Sequence, residues 1–179
     1  DDMVVLLDVR TRLNYDATIT REGEGTINIG GISYIIRYFG SSTIPQDDRY
    51  IEISAPANAP PEAQLAGGNP QRAFKGSHIV MGNPKWDGLI LRVTVIVNVS
   101  TGFFDDYVEL KDSITGNTYQ FRAASEGTII GATIQGGIYT IRYFGSSIIP
   151  QEDRYIEITS SNFGPYKAFR NSFVVFPEK

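Results

Sequence analysis

The chain has 179 residues, 41% hydrophobic and 20% charged, a balance that lets one large or two small globular domains bury a core. Its net charge of −4 comes without any cluster of Lys or Arg, which excludes the electrostatic footprint of a nucleic-acid or anionic-membrane binder. It holds no cysteine, so disulfides, thiolate metal sites and cysteine nucleophiles are excluded, while the redox compartment stays undecided.

The first residues, "DDMVVLLDVRT", read as a processed or trimmed end and favour export. Within them "LLDVRT" (6–11) is a strand whose expected mate is "VIVNVST" (95–101). Next, "EGTINIGGISYI" (24–35) faces "EGTIIGATIQGGIYT" (126–140), with a few residues inserted in the second stretch. In "ISYIIRYF" the period is two: Ile32, Tyr34, Ile36 and Tyr38 share one face, and Ser33, Ile35, Arg37 and Phe39 the other.

From Arg37 the chain writes "RYFGSSTIPQDDRYIEIS", and from Arg142 it writes "RYFGSSIIPQEDRYIEIT". Each copy reads as strand, corner, strand. Gly40 (Gly145 in the second copy) ends the first strand and is expected to supply a positive φ. Pro45 fixes φ within the loop, and Asp48 sits where an Asx-type bond is favoured. If the flanking strands pair, Arg37 and Glu52 share a face, as do Arg142 and Glu157. Such a pair is worth about 0.2–1 kcal/mol.

The proline-rich "APANAPPEAQLAGGNP" (55–70) answers to the much shorter "SSNFGP" (160–165), so it is an excursion from the first copy and reads as a surface loop. "QRAFKGSHIVM" (71–81) then faces "YKAFRNSFVVF" (166–176). The chain is therefore a tandem duplication: copy 1 over 1–83 with the insertion 55–70, a short linker 84–88 carrying Pro84 and Trp86, and copy 2 over 89–179. The longest apolar stretch, "LILRVTVIVNV" (89–99), contains Arg92 and is too short to span a bilayer. Valine, isoleucine, threonine, tyrosine and phenylalanine fill the periodic runs, and glycine, proline, asparagine and aspartate punctuate them. The expected fold is all-β: two tandem antiparallel β-sandwich domains, Ig-like in size and strand spacing.

From Tyr34 to Ser54, 17 of 21 positions match those from Tyr139 to Thr159, whereas similarity elsewhere is patchy. The block is under a constraint that the rest escapes. One explanation is a corner with demanding geometry. The other is a surface that both copies present, to each other, to another subunit or to a glycan. A shared surface selects Arg37, Gln46, Arg49 and Tyr50, with Arg142, Gln151, Arg154 and Tyr155, as partner or ligand contacts.

Catalytic chemistry finds little to work with. His78 is the only histidine, and its counterpart in copy 2 is Phe173, so it reads as a strand-face slot rather than a base. One histidine without cysteine builds no zinc site unless carboxylates supply the rest. The acid pairs Asp47/Asp48, Asp105/Asp106 and Glu152/Asp153 lack calcium-loop spacing and read as solvated loop charges. No phosphate-binding glycine loop is present, and no cofactor or metal is expected. Asn98 opens a glycosylation sequon inside a predicted apolar strand.

The functional expectation is a non-enzymatic extracellular or cell-surface structural protein. It would be a subunit of a filament, sheath or matrix that forms homo-oligomers or polymers through strand or motif-loop contacts. The alternative is a carbohydrate-binding or adhesin module using the Tyr and Arg positions of the motif. Nucleic acid and a membrane span are not expected.

Overall fold

The computed structural model describes residues 2–20, 23–41, 43–45, 48–97, 106–123, 127–145 and 150–177. The chain divides into two compact units: Asp1–Lys75 with Ile79–Pro84, and Gly76–His78 with Lys85–Lys179. The described residues are organised by antiparallel strands and contain no helix long and apolar enough to cross a membrane.

Unit 1 begins with a hairpin, β1 (Asp2–Leu7) against β2 (Asn14–Ile19). A four-stranded sheet follows in chain order: β3 (Glu24–Ile29), β4 (Ile32–Phe39), β5 (Tyr50–Ser54) and β6 (Gln71–Phe74). The β3–β4 turn is Gly30-Gly31, with φ of 60° and 85°. Two consecutive left-handed residues are what a two-residue hairpin of the right twist requires. The two-residue alternation read from the sequence holds on β4: Tyr34 and Ile36 are buried, with Tyr38 against the same core, while Arg37 and Ile35 face out. The core joins Ala17 and Ile19 of the hairpin to Ile27, Tyr34, Ile36, Ile51 and Ile53 of the sheet.

The proline-rich excursion is not a free surface loop. Its Ala55, Ala59, Ala63 and Leu65 are buried in that core, and the Tyr34 hydroxyl donates to the Ala63 carbonyl at 2.7 Å. The Asn69 side chain closes it, accepting from the Ala55 amide at 3.0 Å and donating to the Ala55 carbonyl at 2.9 Å. The excursion also adds a short ladder: the Ala66 amide donates to the Val80 carbonyl and the Gly82 amide to the Gln64 carbonyl.

Among the described residues unit 2 has eight strands. One sheet has the order β14–β7–β8–β9, with β7 Leu89–Val97, β8 Asp106–Asp112, β9 Thr118–Ala123 and β14 Phe173–Phe176. The other runs in chain order through β10 (Ile129–Ile134), β11 (Gly137–Phe144), β12 (Tyr155–Ser160) and β13 (Tyr166–Phe169). One core takes Leu91, Val93, Val108, Leu110 and Val174 from the first sheet and Ile134, Ile141, Tyr143, Ile156 and Ile158 from the second. The two inner faces therefore pack on each other, a sandwich-like arrangement. The strand order does not confirm the Ig-like topology expected from strand count. An Ig domain moves between its sheets repeatedly, whereas here three strands complete most of one sheet, four build the other, and β14 returns beside β7.

The structure also corrects two expected repeat alignments. Leu6–Thr11 matches Leu110–Thr115, not Val95–Thr101. Asp8 Oδ1 accepts from the Arg10 and Thr11 amides, and Asp112 Oδ1 accepts from the Ile114 and Thr115 amides. The Asp8 amide donates to Leu13 as the Asp112 amide does to Asn117, and the left-handed Arg12 answers to Gly116. Likewise β3 answers to β10, so Glu24 stands where unit 2 has Ile129, opposite Arg37 and Arg142 respectively. The shared letters Glu-Gly-Thr are out of register with that pairing.

Candidate functional site

The repeated block builds the same outer sheet face in each unit. In unit 1 the register sets Glu24, Arg37, Glu52 and Arg72 side by side across four strands. This row alternates in charge. Arg37 and Glu52 share the face, as expected, but the ion pairs run to the other neighbours: Arg37 Nε to Glu24 Oε1 at 2.8 Å, and Arg72 Nε to Glu52 Oε1 at 2.9 Å. In unit 2 the same row is Ile129, Arg142, Glu157 and Lys167.

One residue pair further along lies an aromatic row, Phe39, Tyr50 and Phe74. Phe39 and Tyr50 stack with ring centroids 4.8 Å apart at 11°, Phe74 meets Tyr50 edge-on at 6.0 Å, and the Arg72 guanidinium lies 5.2 Å from the Tyr50 centroid. Unit 2 repeats it with Phe144, Tyr155 and Phe169, at 4.8 Å and 15° for the stack and 6.3 Å for the edge contact, and Lys167 Nζ lies 5.2 Å from the Tyr155 centroid. The sequence reading named the tyrosines and missed Phe39, Phe74 and Arg72 with their mates. The signal was present: they alternate with core residues, so they share the face of Tyr50 and Glu52.

Beside this face sits the corner. The Tyr38 ring lies under Gly40 and beside Arg49, whose Nε donates to the Ile44 carbonyl at 3.0 Å and whose Nη1 donates to the Tyr38 hydroxyl at 3.3 Å. In unit 2 the buried Tyr143 hydroxyl donates to the Gly145 carbonyl at 2.7 Å, and Arg154 is buried against it. The expected positive φ at Gly40 and Gly145 is not found. Glycine is favoured there for space, because a Cβ on Gly40 would stand 2.6 Å from the Tyr38 hydroxyl and 2.8 Å from Arg49 Cδ, so those side chains would have to shift.

The predicted contact residues thus separate into groups. Arg37 and Arg142 are exposed on the outer face, and Tyr50 and Tyr155 are half-buried within it. Arg49 and Arg154 belong to the corners. Gln151 lies in a short 3-10 turn, Gln151–Asp153. Gln46 and Asn98 lie outside the described residues, as do Asp47 and Asp105 of the acid pairs.

His78 belongs to unit 2 and pairs across an isolated bridge with Phe173, the residue expected to be its counterpart. Its Nδ1 accepts from the Val175 amide at 3.2 Å and its ring meets Tyr166 edge-on at 4.8 Å. Burial pushes its pKa down to about 4, so it is neutral at pH 7.

Chemically the outer face, four strands across, offers rings already engaged by neighbours, with charges that alternate across all four strands in unit 1. No protein-family model, curated protein or solved structure matches the chain.

Proposed function

We propose that the protein is a non-enzymatic structural module of an extracellular or cell-surface assembly, in which tandem duplicated β-sandwich units make repeated contacts with further copies. The observation that carries this reading is the outer face built twice, with the same stacked aromatic pair, the same edge-on phenylalanine and a cation over the same tyrosine. A surface repeated within one chain suits a contact that is repeated along a polymer. The alternating row Glu24–Arg37–Glu52–Arg72 suits a register-setting contact, since charge complementarity gives specificity more than affinity.

The glycan-binding alternative leans on Tyr50 and Tyr155 as stacking platforms. It is the weaker reading because Phe39 and Phe144 already stack on those rings.

Sedimentation velocity and electron microscopy of the purified chain test the proposal. Higher-order species are expected to grow with concentration and to recede in an Arg37→Glu/Arg142→Glu variant. A chain that stays monomeric under every condition would sink it. A glycan array separates the alternative, which requires binding that Tyr50→Ala and Tyr155→Ala abolish.

A further inference from the structure

Among the described residues unit 1 has no strand at the places of β7 and β14, and no described strand lies along the outer edge of β1. Aligned through the Asp8 and Asp112 turns, β1 and β2 of unit 1 correspond to β8 and β9 of unit 2, with Val4 and Leu6 at the places of Val108 and Leu110. In unit 2, β7 lies along the far side of β8 and pairs Arg92 with Lys111, Val95 with Glu109 and Val97 with Tyr107. In unit 1, β1 pairs with β2 alone among the described strands.

Backbone parity identifies the open groups. The Asp8 amide bonds to Leu13, and in an antiparallel pair bonded and non-bonded positions alternate. Asp8, Leu6 and Val4 therefore direct their backbone groups to β2, and Leu7, Val5 and Met3 direct theirs outward. Those are the positions of Lys111, Glu109 and Tyr107, which in unit 2 face β7.

Burial differs in the same sense. Val108 and Leu110 are 0% and 1% exposed, whereas Val4 and Leu6 reach only partial burial against the unit 1 core. On the other face of β1, Met3, Val5 and Leu7 are 69%, 46% and 50% exposed, where unit 2 carries Tyr, Glu and Lys. From Met3 to Leu7 the strand is apolar on both faces and holds no proline, its one charged residue being Asp2 at the start, and an edge of that kind is a template for another strand. The proline-rich excursion does not fill this place, since its ladder runs to Val80 and Gly82.

We propose that the outer edge of β1 is a docking site for an extended apolar peptide segment, which lies antiparallel to β1 where β7 lies in unit 2. The internal copy specifies the occupant. It carries aliphatic side chains at the places of Leu91 and Val93, which enter the core, and apolar rather than charged residues opposite Met3, Val5 and Leu7. Recognition is by strand addition: the ladder supplies affinity and the alternating side chains supply specificity. This site is separate from the outer-face contact proposed above and does not depend on it.

The test uses the full chain and a synthetic peptide of the β7 sequence, Leu89–Val97, with added terminal lysines for solubility. Amide hydrogen exchange is read by NMR at Met3, Val5 and Leu7. Added peptide is expected to slow exchange at these three amides by about tenfold or more. Little change is expected at Val4 and Leu6, which already bond to β2. A peptide N-methylated at the places of Arg92, Val95 and Val97 lacks the donors that face β8 and is expected to have no effect. A second arm tethers the β7 sequence ahead of Asp1 through a flexible linker, raising its effective concentration to the millimolar range. The proposal is overturned if the three amides stay unprotected in both arms. It is also overturned if they become protected without peptide in step with dimer mass, because the occupant is then a second copy's β1.

Discussion

A methyl group on Gly40 would stand 2.8 Å from Cδ of Arg49 and 2.6 Å from the hydroxyl of Tyr38. Gly145 has the same relation to Arg154 and Tyr143. The letter-for-letter repetition of Tyr, Gly and Arg (Tyr38, Gly40 and Arg49; Tyr143, Gly145 and Arg154) thus has a local cause in packing. Gly40→Ala is expected to destabilise unit 1 by about 1–3 kcal/mol, the usual cost of overpacking. Gly145→Ala should cost unit 2 at least as much, since Tyr143 is fully buried. Urea denaturation of each variant measures both, and adding Arg49→Ala to Gly40→Ala should recover part of the loss.

His78 makes unit 2 sensitive to mild acid. Its folded pKa, about 4, lies below the ordinary 6.5 because burial disfavours the charged ring. Between those values the unfolded chain takes up the proton and the folded chain does not. This contribution is therefore intact above pH 6.5 and falls away as pH drops towards 4. At about 1.36 kcal/mol per unit the loss is on the order of 2–3 kcal/mol, reduced by the ring's partial exposure. His78→Gln, which keeps an acceptor for the Val175 amide, should flatten the profile in this window when Tm is followed from pH 7 to pH 4.

Gln71 is a weak point in the core of unit 1. It is 2% exposed, and neither its Oε1 nor its Nε2 has a hydrogen-bond partner among the described residues. A buried amide left unpaired costs about 1–3 kcal/mol. Gln71→Met, similar in volume and without the amide, is expected to stabilise the chain by about 1 kcal/mol or more. A midpoint in urea at or below that of the wild type would show that the amide is satisfied in solution.

The paired turns allow a comparison within one chain. Asp8 accepts from two amides at an exposed hairpin; burial pushes its carboxyl up, but the Arg10 and Thr11 amides outweigh it and hold the pKa low. Asp112 is fully buried and accepts in addition from the Thr115 hydroxyl at 2.7 Å and from the Gln135 side chain. Asp8→Ala should cost about 1 kcal/mol and Asp112→Ala about 2–3 kcal/mol. Equal costs would mean that the Gln135 and Thr115 bonds add nothing.

Much of this was legible in the letters. Period-two alternation correctly assigned the faces of β4, because side-chain direction in a strand follows from parity alone, and the eighteen-residue repeat located β4 with β11 and β5 with β12. The mate of Leu6–Thr11 was misassigned because runs of aliphatic residues resemble one another. The true signature, Asp-x-x-Thr closing a turn, is carried by two polar letters. Gly40 was given the wrong reason, since glycine is written the same way whether it supplies a dihedral or a space. The excursion looked like a surface loop because alanine and proline carry little periodicity, yet its alanines are small enough to pack closely on the sheet. That Gly76–His78 groups with unit 2 depends on tertiary contacts no local pattern encodes.

The return of β14 beside β7 sets the order in which unit 2 is completed. Its other strand pairs join neighbours in the chain, which form fast because little loop entropy is spent closing them. The pairing of Leu89 with Phe176 spans nearly the whole unit. During synthesis Leu91 and Val93 must therefore wait, with one edge unpaired, until Phe173–Phe176 has emerged. Until that pairing forms, β7 presents an aliphatic edge able to pair with other strands, so a chain cut short before Phe173 is expected to be the adhesive form.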